Sequence, residues 1–135
     1  MANYATDLNK KNWAFAVSAS RRFADEGYFE GTTYNAWAVF LAVEKKLNNN
    51  HSLNLTTFTS PNRRGKSSPN TQEVFDLKGY QYNAYWGDQE GDKRNSRIKE
   101  VIEPIVMLTH YYEKENTTIK STVAYQFGHI GNSRL

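Results

Sequence analysis

The chain has 135 residues, with 17 Lys and Arg against 14 Asp and Glu, so its formal net charge is +3 at pH 7. This length fits one compact domain. A hydrophobic fraction of 39%, with no apolar run near about 20 residues, excludes a helical membrane protein. The aromatic fraction of 14% argues against pervasive disorder. The small charge gives no reason to expect a nucleic-acid partner, and the lack of Cys excludes disulfides and Cys-ligated metals.

Alternation of large apolar residues with small or polar ones predicts two long strands in the first third of the chain. In the first, which begins near residue 12, Trp13, Phe15 and Val17 share one face. Residues 34–47 alternate in the same way. An Ala-rich helix is a rival interpretation of this second run. Its Trp, Val and Phe residues favour a strand, because they lose rotamer freedom in helices.

Further strands follow along the chain. The Asn-rich residues 48–51 predict a turn, and residues 52–60 alternate again, which gives a hairpin. Residues 98–112 and 117–127 are the remaining strand candidates, and Pro104 is expected to interrupt the first of them. The predicted fold class is therefore all-β, an antiparallel hairpin meander of about five strands with long outer loops.

The predicted connections alternate between long and short. Residues 61–97 form a polar stretch far longer than most loops inside a compact domain, whereas its neighbours are tight turns. Transmembrane β-barrels show this rhythm, with short periplasmic turns and long outer loops. Strands of about 10 residues with one apolar face also suit a tilted bilayer-spanning strand. Four aromatic residues near predicted strand ends suit interfacial girdles: Trp13, Trp37, Tyr111 and Tyr112.

Several stretches resemble the barrel of TonB-dependent outer-membrane receptors of the kind found in Bacteroidetes-type bacteria. Three stretches in the first half carry the resemblance: RRFADEGYFEG (residues 21–31), YNAWAVFLAVEKKLN (34–48) and HSLNLTTF (51–58). Four later stretches resemble an outer loop and further strands of the same receptors: RGKSSPNTQEV (64–74), KRNSR (93–97), EPIVMLTHYY (103–112) and YQFG (125–128). The likeness covers nearly the whole chain from about residue 12 onward.

The resemblance implies a location in the cell outer membrane and a part in energised ligand uptake. The implied partners are outer-membrane lipid, an unknown small ligand taken up by the parent receptor and, only through a plug domain that this sequence does not contain, the TonB complex. No nucleic-acid partner, cofactor or enzymatic activity is expected. Because receptors of this family have a signal peptide, a plug and a barrel of about 22 strands, residues 1–135 are expected to form one incomplete barrel segment.

Two groups of residues are candidates for ligand contact. Arg21 and Arg22 end the first predicted strand, where a guanidinium near a barrel mouth suits an anionic ligand. Pairing with Asp25 or Glu26 is the alternative for these two. The second group consists of loop aromatics that suit a stacking surface: Tyr80, Tyr82, Tyr85 and Trp86. Packing of the loop on itself is the competing explanation for these four.

Other chemical motifs in the sequence are incomplete. Residues 62–67 contain Gly-Lys-Ser but lack the first Gly of a phosphate-binding loop. Asp88, Glu90 and Asp92 resemble half of a calcium loop, yet Lys99 stands where the closing Glu belongs. The three histidines show no metal-ligand spacing, and their order indicates no catalytic triad: His51, His110 and His129.

A soluble, antiparallel β-rich module that binds a ligand or a carbohydrate is the rival interpretation, with residues 80–86 as its platform. The two interpretations make opposite demands on apolar strand residues such as Phe15, Val17 and Leu41. A barrel segment turns these side chains towards lipid, whereas a soluble module buries them against a second layer. A barrel segment on its own is also expected to aggregate, because its strand edges and its apolar face are uncovered.

Overall fold

The structure, a computed structural model, describes residues 1–134. It is 59% strand with antiparallel sheets and one short helix, which confirms the predicted all-β antiparallel class. The elements are β1 (Ala2–Ala5), β2 (Trp13–Ala24), β3 (Tyr34–Lys46), β4 (His51–Thr59), β5 (Asn62–Gly65), α1 (Gln72–Lys78), β6 (Trp86–Gln89), β7 (Asp92–Asn95), β8 (Ile98–Ile102), β9 (Ile105–Lys114), β10 (Thr117–Gln126) and β11 (His129–Asn132). With α1 only seven residues long, residues 1–134 contain no helix able to cross a bilayer.

The long predicted runs are strands. All but the last residue of the run 34–47 form β3 (Tyr34–Lys46), so the helical alternative for this run is wrong. Pro104 lies between β8 and β9 and interrupts the fourth run as expected. The sequence pattern does not indicate the shorter elements, since a strand of four residues carries too little alternation to stand out: β1, β5, β6, β7 and β11.

The described chain divides into two compact units. Unit 1 consists of three segments: Met1–Ser20, Trp37–Ser60 and Glu103–Gly128. Unit 2 consists of Arg21–Ala36, Pro61–Ile102 and the chain from His129 onward. Strands β2 and β3 each contribute residues to both units, because their bounds cross these divisions.

In unit 1 the strands lie side by side in the order β1, β2, β3, β4, β9 and β10. Tight turns join β3 to β4 at residues 47–50 and β9 to β10 at residues 115–116, where Glu115 has a left-handed φ of 47°. The register aligns side chains of successive strands into rows. One such row is Val43, Leu55, Leu108 and Val123.

In unit 2 the first residues of β3 pair with β5, β5 pairs with β8, and β8 pairs with β11. Strands β6 and β7 form a separate hairpin, whose turn residues Glu90 and Gly91 both have positive φ. Across the β5–β8 pair, Arg63 Nε lies 3.0 Å from Glu100 Oε1. Because both side chains are exposed, this ion pair contributes at most about 1 kcal/mol.

In β2 and at the centre of β9, burial follows the strand period, with large apolar side chains at the more exposed positions. In β2, Phe15 is 43% exposed, whereas Ala16 and Ser18 are half-buried. In β9, Leu108 is 48% exposed and its neighbour Thr109 only 7%. Side chains that alternate along a strand point to opposite faces. The sheet of unit 1 therefore has one face with exposed apolar side chains and a second face of mostly small and polar residues, which also carries the row Phe40, Phe58 and Ile105.

Ala36 is the one buried hydrophobic residue in the part of the chain that the structure describes. The other buried residues are two glycines, Gly31 and Gly65, and four polar residues: Ser68, Asn83, Asn95 and Thr109. A soluble domain of this size normally buries many of its large apolar side chains. In the described chain the large apolar side chains are therefore half-buried or exposed, and none of them is fully buried.

A substitution at Gly65 tests how closely neighbouring segments of unit 2 approach the backbone of β5. A Cβ at Gly65 would lie 2.5 Å from the Gly31 carbonyl oxygen and 2.8 Å from Asn95 Nδ2. We expect Gly65→Ala to lower the free energy of unfolding by about 1–3 kcal/mol, the usual cost of overpacking, in urea titrations followed by tryptophan fluorescence. Gly87→Ala is the control, since a Cβ there meets open space. Equal effects of the two substitutions would contradict the close approach.

Candidate functional site

The long polar stretch of residues 61–97 is organised around one buried amide, the side chain of Asn83. Asn83 is fully buried and makes four hydrogen bonds. Its Oδ1 accepts from the backbone N–H of Ser68 at 3.0 Å and of Tyr85 at 3.1 Å. Its Nδ2 donates to the carbonyls of Glu30 at 2.7 Å and Lys66 at 3.0 Å. One side chain thereby joins three separate segments of unit 2.

A second buried amide, Asn95, repeats this arrangement. Its Nδ2 donates to the carbonyls of Gly31 at 2.9 Å and Lys66 at 2.8 Å, and its Oδ1 accepts from the N–H of Arg97 at 2.8 Å. The hydroxyl of Ser68 accepts from the N–H of Ala84 at 2.9 Å. We call Asn83, Asn95 and Ser68 the amide cluster. Residues 1–134 contain no buried side-chain N or O atom that lacks a hydrogen bond, so the cluster is fully satisfied.

The helix α1 also belongs to this stretch. Its N-cap, Thr71, accepts from the N–H of Val74 at 3.4 Å, and Gly79 at its C-terminal end has a positive φ of 89°. The ring of Tyr80 stacks on Phe75 with centroids 5.4 Å apart, although Tyr80 is itself largely exposed. This predicted candidate residue therefore packs against the helix of its own loop.

The other three aromatic candidates lie beside the amide cluster. The carbonyl of Tyr82 accepts from Asn70 Nδ2 at 2.7 Å. The Tyr85 ring faces the guanidinium of Arg97 at 5.2 Å, and the Trp86 ring packs so tightly over Gly31 that a Cβ there would overlap it. Tyr85 is therefore engaged within its own loop by Arg97, whereas Trp86 packs on Gly31 of a separate segment of unit 2.

Trp86 also lines a polar cleft in unit 2 with a volume of about 370 Å³. The cleft is lined by Glu26, Gly27, Tyr28, Glu30, Gln81, Trp86 and Lys93. Glu26 is held in place because its Oε1 accepts from the N–H of Gly31 at 2.9 Å. An indole beside two carboxylates and an ammonium group provides one apolar surface and several polar partners. This combination suits a small polar ligand, and we treat it as the candidate ligand site.

The two arginine candidates are not among the residues that line this cleft. Arg21 and Arg22 are both exposed. The Nε of Arg21 donates to Asn35 Oδ1 at 3.2 Å, and its guanidinium lies 5.3 Å from the centre of the Phe23 ring. The structure therefore brings Tyr85 and Trp86 together but gives the arginines a separate place in unit 2.

The incomplete motifs have ordinary structural surroundings. Lys66, the lysine of the Gly-Lys-Ser sequence, donates from Nζ to Asn132 Oδ1 at 2.9 Å, and strand β5 precedes it. Asp88 lies opposite Lys93 in the β6–β7 hairpin. No group of three or more His, Asp or Glu residues within residues 1–134 is placed to hold a metal ion.

Comparisons with protein-family models, with curated proteins and with solved structures found no match to this chain.

Sequence patterns do not indicate that Asn83 and Asn95 organise this stretch of the chain. Asn is common in exposed loops, so a polar stretch gives no sign that two of its amides are buried. Their partners are long-range, since Asn83 binds Glu30 and Asn95 binds Gly31 across more than fifty residues of sequence. A pattern confined to neighbouring residues cannot carry that information.

Replacing Asn83 tests the amide cluster. Asn83→Ala removes the partner of two N–H groups, those of Ser68 and Tyr85, and of the Glu30 carbonyl, whereas the Lys66 carbonyl keeps its hydrogen bond from Asn95. Since a single buried unsatisfied group costs about 1–3 kcal/mol, we expect unit 2 to be destabilised by about 3 kcal/mol. Opening of residues 61–97 then becomes about 100-fold more populated, and trypsin cleaves at Lys66, Lys78 or Lys93 correspondingly faster.

Asn49→Ala is the matched control, because Asn49 is an exposed turn residue of unit 1. We expect this variant to be cleaved at the rate of the unaltered chain. If Asn83→Ala were as resistant as Asn49→Ala, the amide cluster would have no organising role.

Proposed function

We propose that this chain is a segment of the barrel wall of a TonB-dependent outer-membrane receptor, and that it serves ligand uptake through its parent protein. In this proposal the exposed apolar face of unit 1 contacts outer-membrane lipid. Unit 2 supplies ordered loop structure for ligand contact. The observation that carries the proposal is the burial pattern of β2 and of the centre of β9, in which large apolar side chains are more exposed than the small and polar side chains that alternate with them.

The apolar face is continuous across four strands. The row Val43, Leu55, Leu108 and Val123 contains only aliphatic side chains, and Val123 is 74% exposed. The adjacent row on the opposite face contains only polar side chains: Glu44, Asn54, Thr109 and Thr122. Outward apolar and inward polar residues alternate in this way in transmembrane barrels.

The ends of this face carry aromatic residues. Trp13 begins β2, and the ammonium group of Lys45 lies 4.5 Å from the centre of its ring. At the other end of the face, Tyr125 and Phe127 stack with centroids 5.6 Å apart. From Ile119 to Phe127 a strand covers about 26 Å, or about 20 Å when tilted, which is close to the apolar band of about 25 Å in such barrels. The position of Trp13 supports the aromatic girdle that the sequence predicts. Of the two tyrosines expected in the girdle, Tyr112 lies on the apolar face and Tyr111 on the polar one.

Ligand contact is proposed for the polar cleft beside Trp86. Its two carboxylates and Lys93 provide hydrogen-bonding partners, and the indole provides a stacking surface. Capture of a ligand by an ordered outer loop agrees with the way the amide cluster holds residues 61–97. Energy coupling would depend on a plug domain and the TonB complex, which lie outside this sequence.

A soluble β-rich binding module is the second candidate, because Trp86 lines a polar cleft that suits a carbohydrate as well as another small polar ligand. Two observations weigh against it. The large apolar residues of unit 1 have no second layer among the described residues, and Tyr80 and Tyr85 are engaged by Phe75 and Arg97 instead of forming a shared platform. We therefore favour the barrel segment.

Light scattering without and then with detergent separates these two functions. A barrel segment is expected to form large aggregates in plain buffer, because its apolar face and strand edges are uncovered. In detergent it is expected to disperse and to show a β-rich circular dichroism spectrum. A monodisperse species of 15.6 kDa in plain buffer would reject the barrel segment and favour the soluble module.

A pair of substitutions on adjacent residues tests which face contacts lipid. Val123→Arg places a charge on the apolar face, and we expect it to destabilise the detergent-dispersed fold by about 2–4 kcal/mol, the cost of Arg near a bilayer midplane. Ala124→Arg places the same charge on the opposite face and is expected to cost well under half as much. Denaturant titration in detergent measures both. Equal tolerance of the two charges would count against a lipid-facing surface.

A further inference from the structure

Two of the three histidines in the chain meet on the apolar face of unit 1. His51 begins β4 and lies opposite Tyr112 of β9 in the sheet register, so His110, two residues before Tyr112, is on the same face. The imidazole rings are 5.1 Å apart between centroids and only 18° from parallel. Nδ1 of His51 lies 3.0 Å from Nε2 of His110, and both residues are half-buried.

This N···N distance matches the separation of two imidazole nitrogens that bind the same metal ion. Imidazole nitrogens bind Zn²⁺ at about 2.0–2.1 Å, so two ligands in neighbouring coordination positions stand about 3.0–3.4 Å apart. The two ring nitrogens already have this separation, at which one ring donates an N–H···N hydrogen bond to the other. Metal binding replaces this hydrogen bond: the donor ring changes tautomer, so that its proton sits on its other nitrogen, and the rings rotate so that the two lone pairs converge. We propose that His51 Nδ1 and His110 Nε2 form a two-histidine site for a divalent transition metal ion, with water in the remaining coordination positions.

The backbone around the pair is well anchored, which limits the entropy that metal binding would cost. The N–H of His51 donates to Asn48 Oδ1 at 2.9 Å. Asn50 bridges to the end of β9, because its carbonyl accepts from the N–H of Glu113 and its Nδ2 donates to the carbonyl of Glu113. The Tyr112 ring packs 4.8 Å from that of His51. A site held on neighbouring strands in this way is preorganised.

Both histidines are half-buried, so each keeps part of its surface open to solvent at the turn end of unit 1. His51 also lines a cleft of about 350 Å³ with Glu44, Lys46, Tyr111 and Glu113, whereas His110 is not among the lining residues. No third His, Asp or Glu within residues 1–134 completes a cluster with the two histidines. Water is therefore the remaining ligand, and the affinity series is expected to follow the general order for nitrogen sites, with Cu²⁺ bound more tightly than Ni²⁺ or Zn²⁺.

The test is a Cu²⁺ titration of the full chain, purified without a histidine tag and kept in whichever medium leaves it dispersed. We expect one Cu²⁺ per chain by calorimetry and an electron paramagnetic resonance spectrum with hyperfine coupling to two imidazole nitrogens. Chelation makes the second ligand intramolecular. His51→Gln or His110→Gln is therefore expected to weaken binding by about 100-fold.

His129→Gln is the matched control, because His129 lies in β11 of unit 2 and is expected to leave the affinity unchanged. Circular dichroism verifies that each variant keeps its strand content. If the double variant His51→Gln/His110→Gln bound Cu²⁺ as tightly as the unaltered chain, the metal would sit elsewhere and the proposal would be overturned. Equal weakening by His129→Gln would overturn it as well. Neither result depends on whether the apolar face contacts lipid.

Discussion

Hydrogen bonding, rather than apolar burial, is the constraint on which this structure depends. Ala36 is the single buried hydrophobic residue among residues 1–134, whereas Asn83, Asn95, Ser68 and Thr109 are buried with their polar groups paired. A chain that buries so little apolar surface gains little from the hydrophobic effect. Its order must come from the antiparallel backbone ladders and from side-chain amides that pair with backbone groups.

The two units satisfy this constraint in different ways. In unit 1 the strands are long and neighbouring strands are joined by tight turns, so nearly every backbone group can pair within a regular ladder. In unit 2 the chain between β5 and β6 contains the short helix α1 and is otherwise irregular, so no strand ladder satisfies its backbone. Asn83 and Asn95 take over that function, since each amide offers both donors and an acceptor and can replace a strand neighbour.

Part of this organisation is accessible from sequence. The alternation of Phe15 and Val17 with small residues predicts a strand and defines its two faces, and Pro104 marks a break, because both effects act between neighbouring residues. The amide cluster is not accessible in this way. Its hydrogen bonds join residues far apart in sequence, and Asn83 has the same local appearance as the exposed Asn49. The His51–His110 pair cannot be predicted from sequence for the same reason, because the strand register brings the two rings together and their sequence spacing does not indicate it.

Alternation in the sequence defines two faces of a strand but does not show which face is exposed. The structure supplies this information. Exposure of Leu108 beside buried Thr109 reverses the arrangement of a soluble sheet, in which the apolar face is covered. A reversed sheet is stable only if something other than water covers its apolar face. In the proposed barrel segment, lipid would do so along the strands without interrupting the row from Val43 to Val123. A protein layer would need an apolar surface of matching extent, and the described part of the chain provides none.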